Sequence, residues 1–500
     1  MIIVVVSVSE LPPPSYEELA ALAAALVTEV EALRAENAEL RCRLGMDSRN
    51  SSSPPSKDSI AAKAQRRAER SCGERSKERK RGGQKGRVGS GLTPSLEPNR
   101  TEAVDPPTDC SGCGAELADG VDAGMSWAQV WDIAPIVLQK VHYLLPRRRC
   151  GCCGRTTTAA APSAQAGAVV YGPNVNAAAI LLGSEGNVPV ERTAMLMAAL
   201  LGTPVSVGFV ARALARLAQR LDNAGFDAAM KDALRAEDVL CGDETAVNVI
   251  SKDVDENGEV VAGQPQAVVI RTPDARLIWY AATSSRSKDA IAGLGVLDGY
   301  RGYLVGDDYA GYRQFEAHLA GRQQCCSHLL RYLKGVRELD PQVQAWAGKV
   351  AAVLRQAHTA VQEAIAVGRD QLDPQLLTDL RQRYDKAVHW GVITNRHRDW
   401  HDGNHPGYKL ANRLQAKADQ VWLFTTVFTV PWTNNASEQA IKSPKLHQKV
   451  SGYWHTTRTL AAFCRVRSYL TSARGHGIHA IDAIHTALNG NPWLPTPLTG

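Results

Sequence analysis

Gly302-Tyr303-Leu304-Val305-Gly306-Asp307-Asp308-Tyr309-Ala310-Gly311-Tyr312 is the stretch on which the reading of this 500-residue chain turns. Its apolar first half predicts a short buried strand. The strand ends abruptly in two carboxylates and a turn rich in Gly and Tyr. A strand tip holds an acid rigidly, which suits metal binding, whereas Asp and Gly after a strand ordinarily make a turn. Two features elsewhere give weight to the first reading: an acid on an upstream strand, and a Glu on a predicted helix downstream.

Upstream, Val239 to Ile250 predicts a strand carrying Asp243. Gln266 to Arg271 and Arg276 to Ala281 predict two more, joined by Thr272-Pro273-Asp274-Ala275, a hairpin signal. Ser287 caps a short helix to Val296. Three antiparallel strands, a helix and a further strand is the core order of an RNase H-like α/β fold, a mixed sheet in which the first and fourth strands are neighbours. That predicts Asp243 beside the tip of the opening stretch.

Downstream, residues 326–425 predict a helical insertion, including amphipathic Gln342 to Val367 and Gln375 to Val388. Cys325-Cys326-Ser327-His328 opens it. The core resumes over 426–475, where Asn434-Asn435 can cap a helix that carries Glu438, and 476–500 reads as a C-terminal tail. The catalytic core is thus expected over 236–325 and 426–475. Three carboxylates on three elements of one core can hold two divalent cations about 4 Å apart, and oxygen-only ligands select Mg²⁺ or Mn²⁺ over zinc.

The N-terminal half is modular. Residues 15–46 predict a coiled coil: Leu19, Leu26, Leu33 and Leu40 fall seven apart, and Ala23, Val30, Asn37 and Leu44 form the partner seam. One Asn in such a seam favours a parallel dimer in fixed register. Residues 47–100 form a basic linker of disordered composition. Lys63 to Arg87 holds eleven basic residues against three Glu, and Arg79, Lys80, Arg81, Lys85 and Arg87 read as a phosphate-tracking arm on nucleic acid. Residues 105–160 hold two CxxC knuckles, Cys110/Cys113 and Cys150/Cys153, with predicted strands between them over Trp127 to Leu145. Thiolates so spaced can close a tetrahedral Zn²⁺ site. Residues 170–235 predict helices over Asn174 to Leu182, Glu191 to Leu201 and, capped by Ser206, Val207 to Leu221, an order compatible with a helix-turn-helix.

The totals bound the class. The net charge is +6, and eleven Cys occur without a credible secretory signal, since apolar Met1 to Val8 lacks a basic n-region. No apolar run approaches membrane-spanning length. A reducing compartment is expected, with paired Cys read as metal ligands before disulfides.

Taken together, the chain resembles the transposases of the insertion sequence 66 family, with their Asp-Asp-Glu triad. The resemblance is carried by Asp243-Glu244-Thr245, Asp307-Asp308-Tyr309-Ala310-Gly311-Tyr312, Cys325-Cys326-Ser327-His328 with Arg331, and Asn434-Asn435-Ala436-Ser437-Glu438. The linker, Gly82-Gly83-Gln84-Lys85-Gly86, the four-Cys module, Tyr171-Gly172-Pro173-Asn174 and the closing region are also similar. The resemblance implies a DNA transposase that binds terminal inverted repeats, cuts with Mg²⁺ and joins the freed 3′-hydroxyl to target DNA. It selects Asp307 over Asp308 and places His328 beside the active site, in a structural or a catalytic role. Lys442, Lys445 and Lys449 are expected phosphate contacts. It further implies a bacterial, cytoplasmic, nucleoid-associated protein served by accessory proteins of the element, while the coiled coil implies a homodimer and the lack of a membrane-length apolar run implies no membrane partner. Gln439, Thr433 and Lys442 depart from the family's usual Arg, Asp and Arg. The alternative is an inactive or repurposed zinc-containing DNA-binding protein.

Overall fold

The structure is a computed structural model that describes residues 15–45, 47, 58–60, 63, 92–134, 136–162, 168–251, 263–400 and 403–497. The chain forms two compact units, Met1–Lys63 with Leu138–Gly500, and Ala64–Val137. The basic arm, with Arg79, Lys80, Arg81, Lys85 and Arg87, lies outside the described residues.

A five-stranded mixed sheet organises the larger unit. Its strands are β3 (Val239–Ala246), β4 (Gln266–Arg271), β5 (Ile278–Thr283), β6 (Tyr303–Gly306) and β7 (Gly321–Gln324), in the order β5-β4-β3-β6-β7. β3, β4 and β5 pair antiparallel, while β6 runs parallel to both β3 and β7. The first and fourth strands of this sheet are therefore neighbours. The β4–β5 hairpin closes on Asp274, whose Oδ1 accepts from the Thr272 hydroxyl (2.5 Å) and the Arg276 N–H (3.0 Å).

Both faces of the sheet are covered, and β4 is buried along its whole length. One face carries Leu240, Val268, Ile270, Trp279 and Leu304, packed with Phe226, Met230, Tyr300, Tyr312 and Phe315. The other carries Ala267, Val269 and Tyr280 under Leu460, Phe463 and Cys464 of the helix Thr457–Gly475. Gly302 is required where β6 begins, because a Cβ there would collide with the Tyr300 hydroxyl and stand 2.5 Å from the Asp238 carbonyl.

The predicted helices at 170–235 form as Pro173–Ser184, Val190–Leu201 and Val207–Asn223, with the Ser206 hydroxyl accepting from the Phe209 N–H, followed by Phe226–Arg235. They share one core with the sheet. The insertion builds a separate core on the helices Cys326–Leu339, Ala345–Ala366, Pro374–Asn395 and Pro406–Ala416, centred on Trp346 and Tyr384.

Three expectations are corrected. No strand forms over 127–145 among the described residues: Trp127, Val130 and Ile133 are exposed, and an isolated hairpin without an apolar face to bury is marginal. Strands β1 (Arg147–Arg149) and β2 (Thr156–Thr158) instead flank the second knuckle. Residues 476–500 are not simply a tail, since the helix Ala480–Leu488 buries Ala483, Ile484 and Ala487 in the main core. β7 was not expected, because its residues are polar.

The leading helix spans Tyr16–Gly45, with Leu19, Leu26, Val30 and Leu33 exposed. The side chains of Asn37, Leu40 and Leu44 lie outside the described residues. No helix among the described residues is long and apolar enough to cross a membrane.

Candidate active site

Register brings the first two acids together. β3 and β6 pair in parallel with Val239 opposite Tyr303 and Cys241 opposite Val305. Continuing that register by two residues sets Asp243 opposite Asp307. Alternation along β3 puts Asp243 on the face of Val239 and Cys241, and Glu244 on the other. Glu244 is indeed held on that second face, where its Oε2 accepts from the Tyr312 hydroxyl (2.6 Å) and its Oε1 from the Arg286 Nε (2.7 Å).

Asp307 caps its own turn, its Oδ1 accepting from the Tyr309 N–H at 2.9 Å. Its other oxygen lies 3.8 Å from the Arg286 guanidinium. The turn role and a half-exposed carboxylate thus coexist. The backbone carbonyl of Asp307 accepts a hydrogen bond from buried Arg322, whose guanidinium also pairs with Glu316. Asp308 sits in a cationic cage: Lys417 pairs with its Oδ1, while Arg413 and Arg313 stand 3.7 and 3.9 Å from its Oδ2. Three cations surround Asp308, whereas among the described residues Asp307 has only Arg286, which is already bonded to Glu244.

The third acid arrives from the far side of the insertion. Glu438 lies on the short helix Asn435–Ala440, which packs against β3 and β4. Asn434, before that helix, is 2% exposed and donates its amide to the Gly242 carbonyl at 2.7 Å. The Ala436 carbonyl accepts from Arg271 of β4 at 3.1 Å. These bonds seat the helix on the strand that carries Asp243. Glu438 Oε1 stands 3.7 Å from His328 Nε2 and 4.0 Å from Cys325 Sγ. Cys325 precedes the helix Cys326–Leu339, and its N–H donates to the Gly306 carbonyl at the end of β6 (2.8 Å).

The electrostatics follow from this packing. Burial, then the charges of Glu244, Asp307 and Glu438, push the Asp243 carboxyl well above the usual carboxylate range, against one N–H bond from Glu244. Burial and the Asp307 charge likewise raise Glu244, against Arg286 and Tyr312. Burial lowers His328, partly offset by Glu438. Asp243 thus feels the charges of Glu244, Asp307 and Glu438 together, with Arg286 the cation beside Glu244 and Asp307, and carboxylate oxygens of this kind suit Mg²⁺ or Mn²⁺.

Of the expected phosphate contacts, Lys442 and Lys449 are exposed on the helix Lys442–Ser451. Lys445 on the same helix donates to the Ala246 carbonyl at the end of β3. Sequence reasoning missed Arg286, Lys417 and Arg413, whose roles arise only from tertiary contacts. Glu244 is adjacent to Asp243 in sequence, but its burial and its Tyr312 and Arg286 partners arise only in the fold.

The two knuckles, in different units, share one local geometry. Cys110 N–H donates to Ala115 and Gly114 N–H to Cys110, as Cys150 N–H does to Arg155 and Gly154 N–H to Cys150. Gly114 and Gly154 take φ of 75° and 71°. Hydrogen bonds from the backbone of Cys113 and Gly112 lower the Cys110 thiol, and those of Cys153 and Cys152 lower Cys150. Turned N–H groups that favour a thiolate are what a metal knuckle needs.

Fold and acid cluster define a class: mixed α/β proteins that gather carboxylates at the end of a central strand pair. Within it, the chain belongs to the transposase IS66 family, whose model matches residues 168–462. Residues 8–92 match a family of unknown function, DUF6444. No curated protein matches the chain. Among solved structures, one described as "Drosophila P element transposase strand transfer complex" is similar over 60% of this chain and 92% of that one, at 12% identity and a TM-score of 0.30. That likeness is too faint to carry an argument.

Proposed function

We propose that this transposase binds the terminal inverted repeats of its element and performs divalent-metal-dependent phosphodiester cleavage and strand transfer on an RNase H-like core. The observation that carries the reading is that the β3–β6 register and the charges of Asp307 and Glu438 both bear on Asp243, while Asp308 is held by Lys417, Arg413 and Arg313. Asp243, Asp307 and Glu438 would hold Mg²⁺ or Mn²⁺, which when bound activates the attacking oxygen and steadies the leaving one.

The chain's own residues do the positioning. Asp243 is fixed by the centre of the sheet, and Asp307 by its turn and by Arg322. Glu438 is fixed by the Asn434 clamp. Arg286 limits the charge that Glu244 adds to the cluster. His328, neutral near pH 7, stands where it can orient Glu438 or accept a hydrogen bond from a bound hydroxyl. Lys442 and Lys449, one helix beyond Glu438, supply cations for the phosphate backbone, and Lys445 does so on release from Ala246. Arg79, Lys80, Arg81, Lys85 and Arg87 add salt-sensitive, sequence-independent affinity.

Around this core we place a homodimer through the leading helix, where Leu19, Leu26 and Leu33 of the leucine seam are exposed. A structural Zn²⁺ on Cys110, Cys113, Cys150 and Cys153 belongs to the same reading, as do accessory proteins of the element. The setting is the bacterial nucleoid in the cytoplasm. The test is strand transfer in vitro with purified protein, Mg²⁺ and DNA carrying the element's ends. Joined product that Asp307→Ala abolishes and Asp308→Ala retains supports the reading. Repeat binding without cleavage or joining by the intact protein would leave the repurposed DNA-binding alternative standing instead.

A further inference from the structure

Cys325, His328 and Glu438 each offer one ligand atom, and these atoms lie within 4.8 Å of one another. None makes a good bond to the next. The gaps of 3.7 Å from His328 Nε2 and 4.0 Å from Cys325 Sγ to Glu438 Oε1 leave little direct hydrogen bonding. Zinc bonds of about 2.3 Å to sulfur and about 2.0 Å to nitrogen or oxygen give tetrahedral edges of about 3.3–3.5 Å. Both gaps are a few tenths of an ångström from those edges, a shift within reach of small side-chain rotations.

The local chain is built for such a donor set. Cys325 stands at the N-terminus of the helix Cys326–Leu339 and His328 one turn in, so both face the same side. The Asn434 N–H donates to Cys325 Sγ at 3.1 Å, which offsets part of the burial that pushes this thiol up to about 11, so a bound cation would have to displace its proton. Burial holds the imidazole neutral, leaving a ring nitrogen free to coordinate. A thiolate, a neutral imidazole and a carboxylate differ sharply from the oxygen-only set of Asp243 and Asp307, and select zinc-like ions over Mg²⁺.

We propose that Cys325, His328 and Glu438 form a second metal site for a thiophilic divalent cation, and that loading it draws Glu438 away from the acid cluster. Zinc at this site is then an inhibitor of the Mg²⁺-dependent reaction. The site stands on its own geometry, whereas the inhibition rests on the reading of Glu438 given above.

Cobalt titration of the full chain tests the site without any turnover. A variant with Cys110, Cys113, Cys150 and Cys153 all changed to Ser isolates it from the knuckles. Expected is one cobalt equivalent with thiolate-to-metal absorption. Adding Cys325→Ser removes that absorption, and adding His328→Gln weakens affinity about tenfold or more. If the four-Ser variant does not fold, the same contrast is read as the difference spectrum between the native chain and Cys325→Ser. Thiolate absorption that Cys325→Ser leaves unchanged overturns the proposal, as does its absence from the folded four-Ser variant. The inhibition is read as the zinc-dependent loss of cleavage relative to each protein's own rate in Mg²⁺ alone. Micromolar zinc should suppress the native chain at least tenfold more than Cys325→Ser, and equal suppression overturns the inhibitory role. A native chain inert in Mg²⁺ alone defeats the transposase reading while leaving the cobalt result standing.

Discussion

Replacing Asn434 by alanine tests whether the third acid is seated by one buried amide. Asn434 is 2% exposed, donates to the Gly242 carbonyl at 2.7 Å, and leaves its own Oδ1 without a partner. The change removes a bond whose net contribution is about 1 kcal/mol and strips the strand carbonyl of this donor, a cost of about 1–3 kcal/mol if nothing replaces it. Loss of the unpaired Oδ1 offsets part of this. The expected destabilisation is therefore about 1–2 kcal/mol. Asn434→Asp keeps the shape but turns an oxygen to the Gly242 carbonyl and adds charge beside Asp243 and Glu438. It should cost more than the alanine change, by about 1 kcal/mol or more. Urea unfolding of both variants, with cleavage in Mg²⁺ measured alongside, reads the two effects. The alanine variant should lose more activity than its folded fraction explains, because Glu438 is no longer seated. If both variants unfold within about 0.5 kcal/mol of the native chain, the clamp argument fails.

Other outcomes follow from the same contacts. Asp243→Asn should raise the melting temperature in chelator, because it removes a buried charge among like charges, and should cancel any stabilisation by added Mg²⁺; calorimetry with and without the ion decides. Arg286→Ala leaves Glu244, whose side chain is 2% exposed, with only the Tyr312 hydroxyl, and should cost about 1–3 kcal/mol in chemical denaturation. Burial holds His447 down to about 4 where it stacks on Trp454 at 4.4 Å. A depressed folded value means its contribution is present above the unfolded value near about 6.5 and is lost as pH falls toward about 4, at most roughly 3 kcal/mol in all. His447→Phe should flatten that part of the stability–pH curve, and an unchanged curve would assign the acid lability elsewhere. Changing Cys113 or Cys153 to Ser should remove one zinc equivalent by elemental analysis, and equal zinc content in native and variant chains would count against a shared site.

Much of the fold was legible because it rests on local signals. The strand Gln266–Arg271 has an unbroken apolar middle from Ala267 to Ile270, the turn at Thr272–Ala275 carries its own hydrogen bonds, and Ser206 and Ser287 cap the helices they precede. The pairing of Asp243 with Asp307 was legible only through the strand order. What the sequence hid is non-local. β7 buries Arg322, Gln323 and Gln324, and such residues read as a loop until their partners are known. Gln323 bonds the Val421 carbonyl and the Phe424 N–H, and Gln324 bonds Gln420, about a hundred positions away. The same distance hid the cage around Asp308, since Arg413 and Lys417 belong to the insertion. The exposed run at 127–145 misled in the other direction, its apolar residues suggesting strands where no partner strand exists among the described residues.

The Asn434 clamp closes a span of 192 residues. Loop-closure entropy rises only slowly with such length, but the contact cannot form before its second half exists. During synthesis, Asp243 and Asp307 meet as soon as β3 and β6 pair, whereas Glu438 follows the whole helical insertion. A nascent or truncated chain that stops before Asn434 holds two acids and not three. Its sheet can fold while the third ligand is still absent, so the order in which the polypeptide is made sets when its acid cluster is complete.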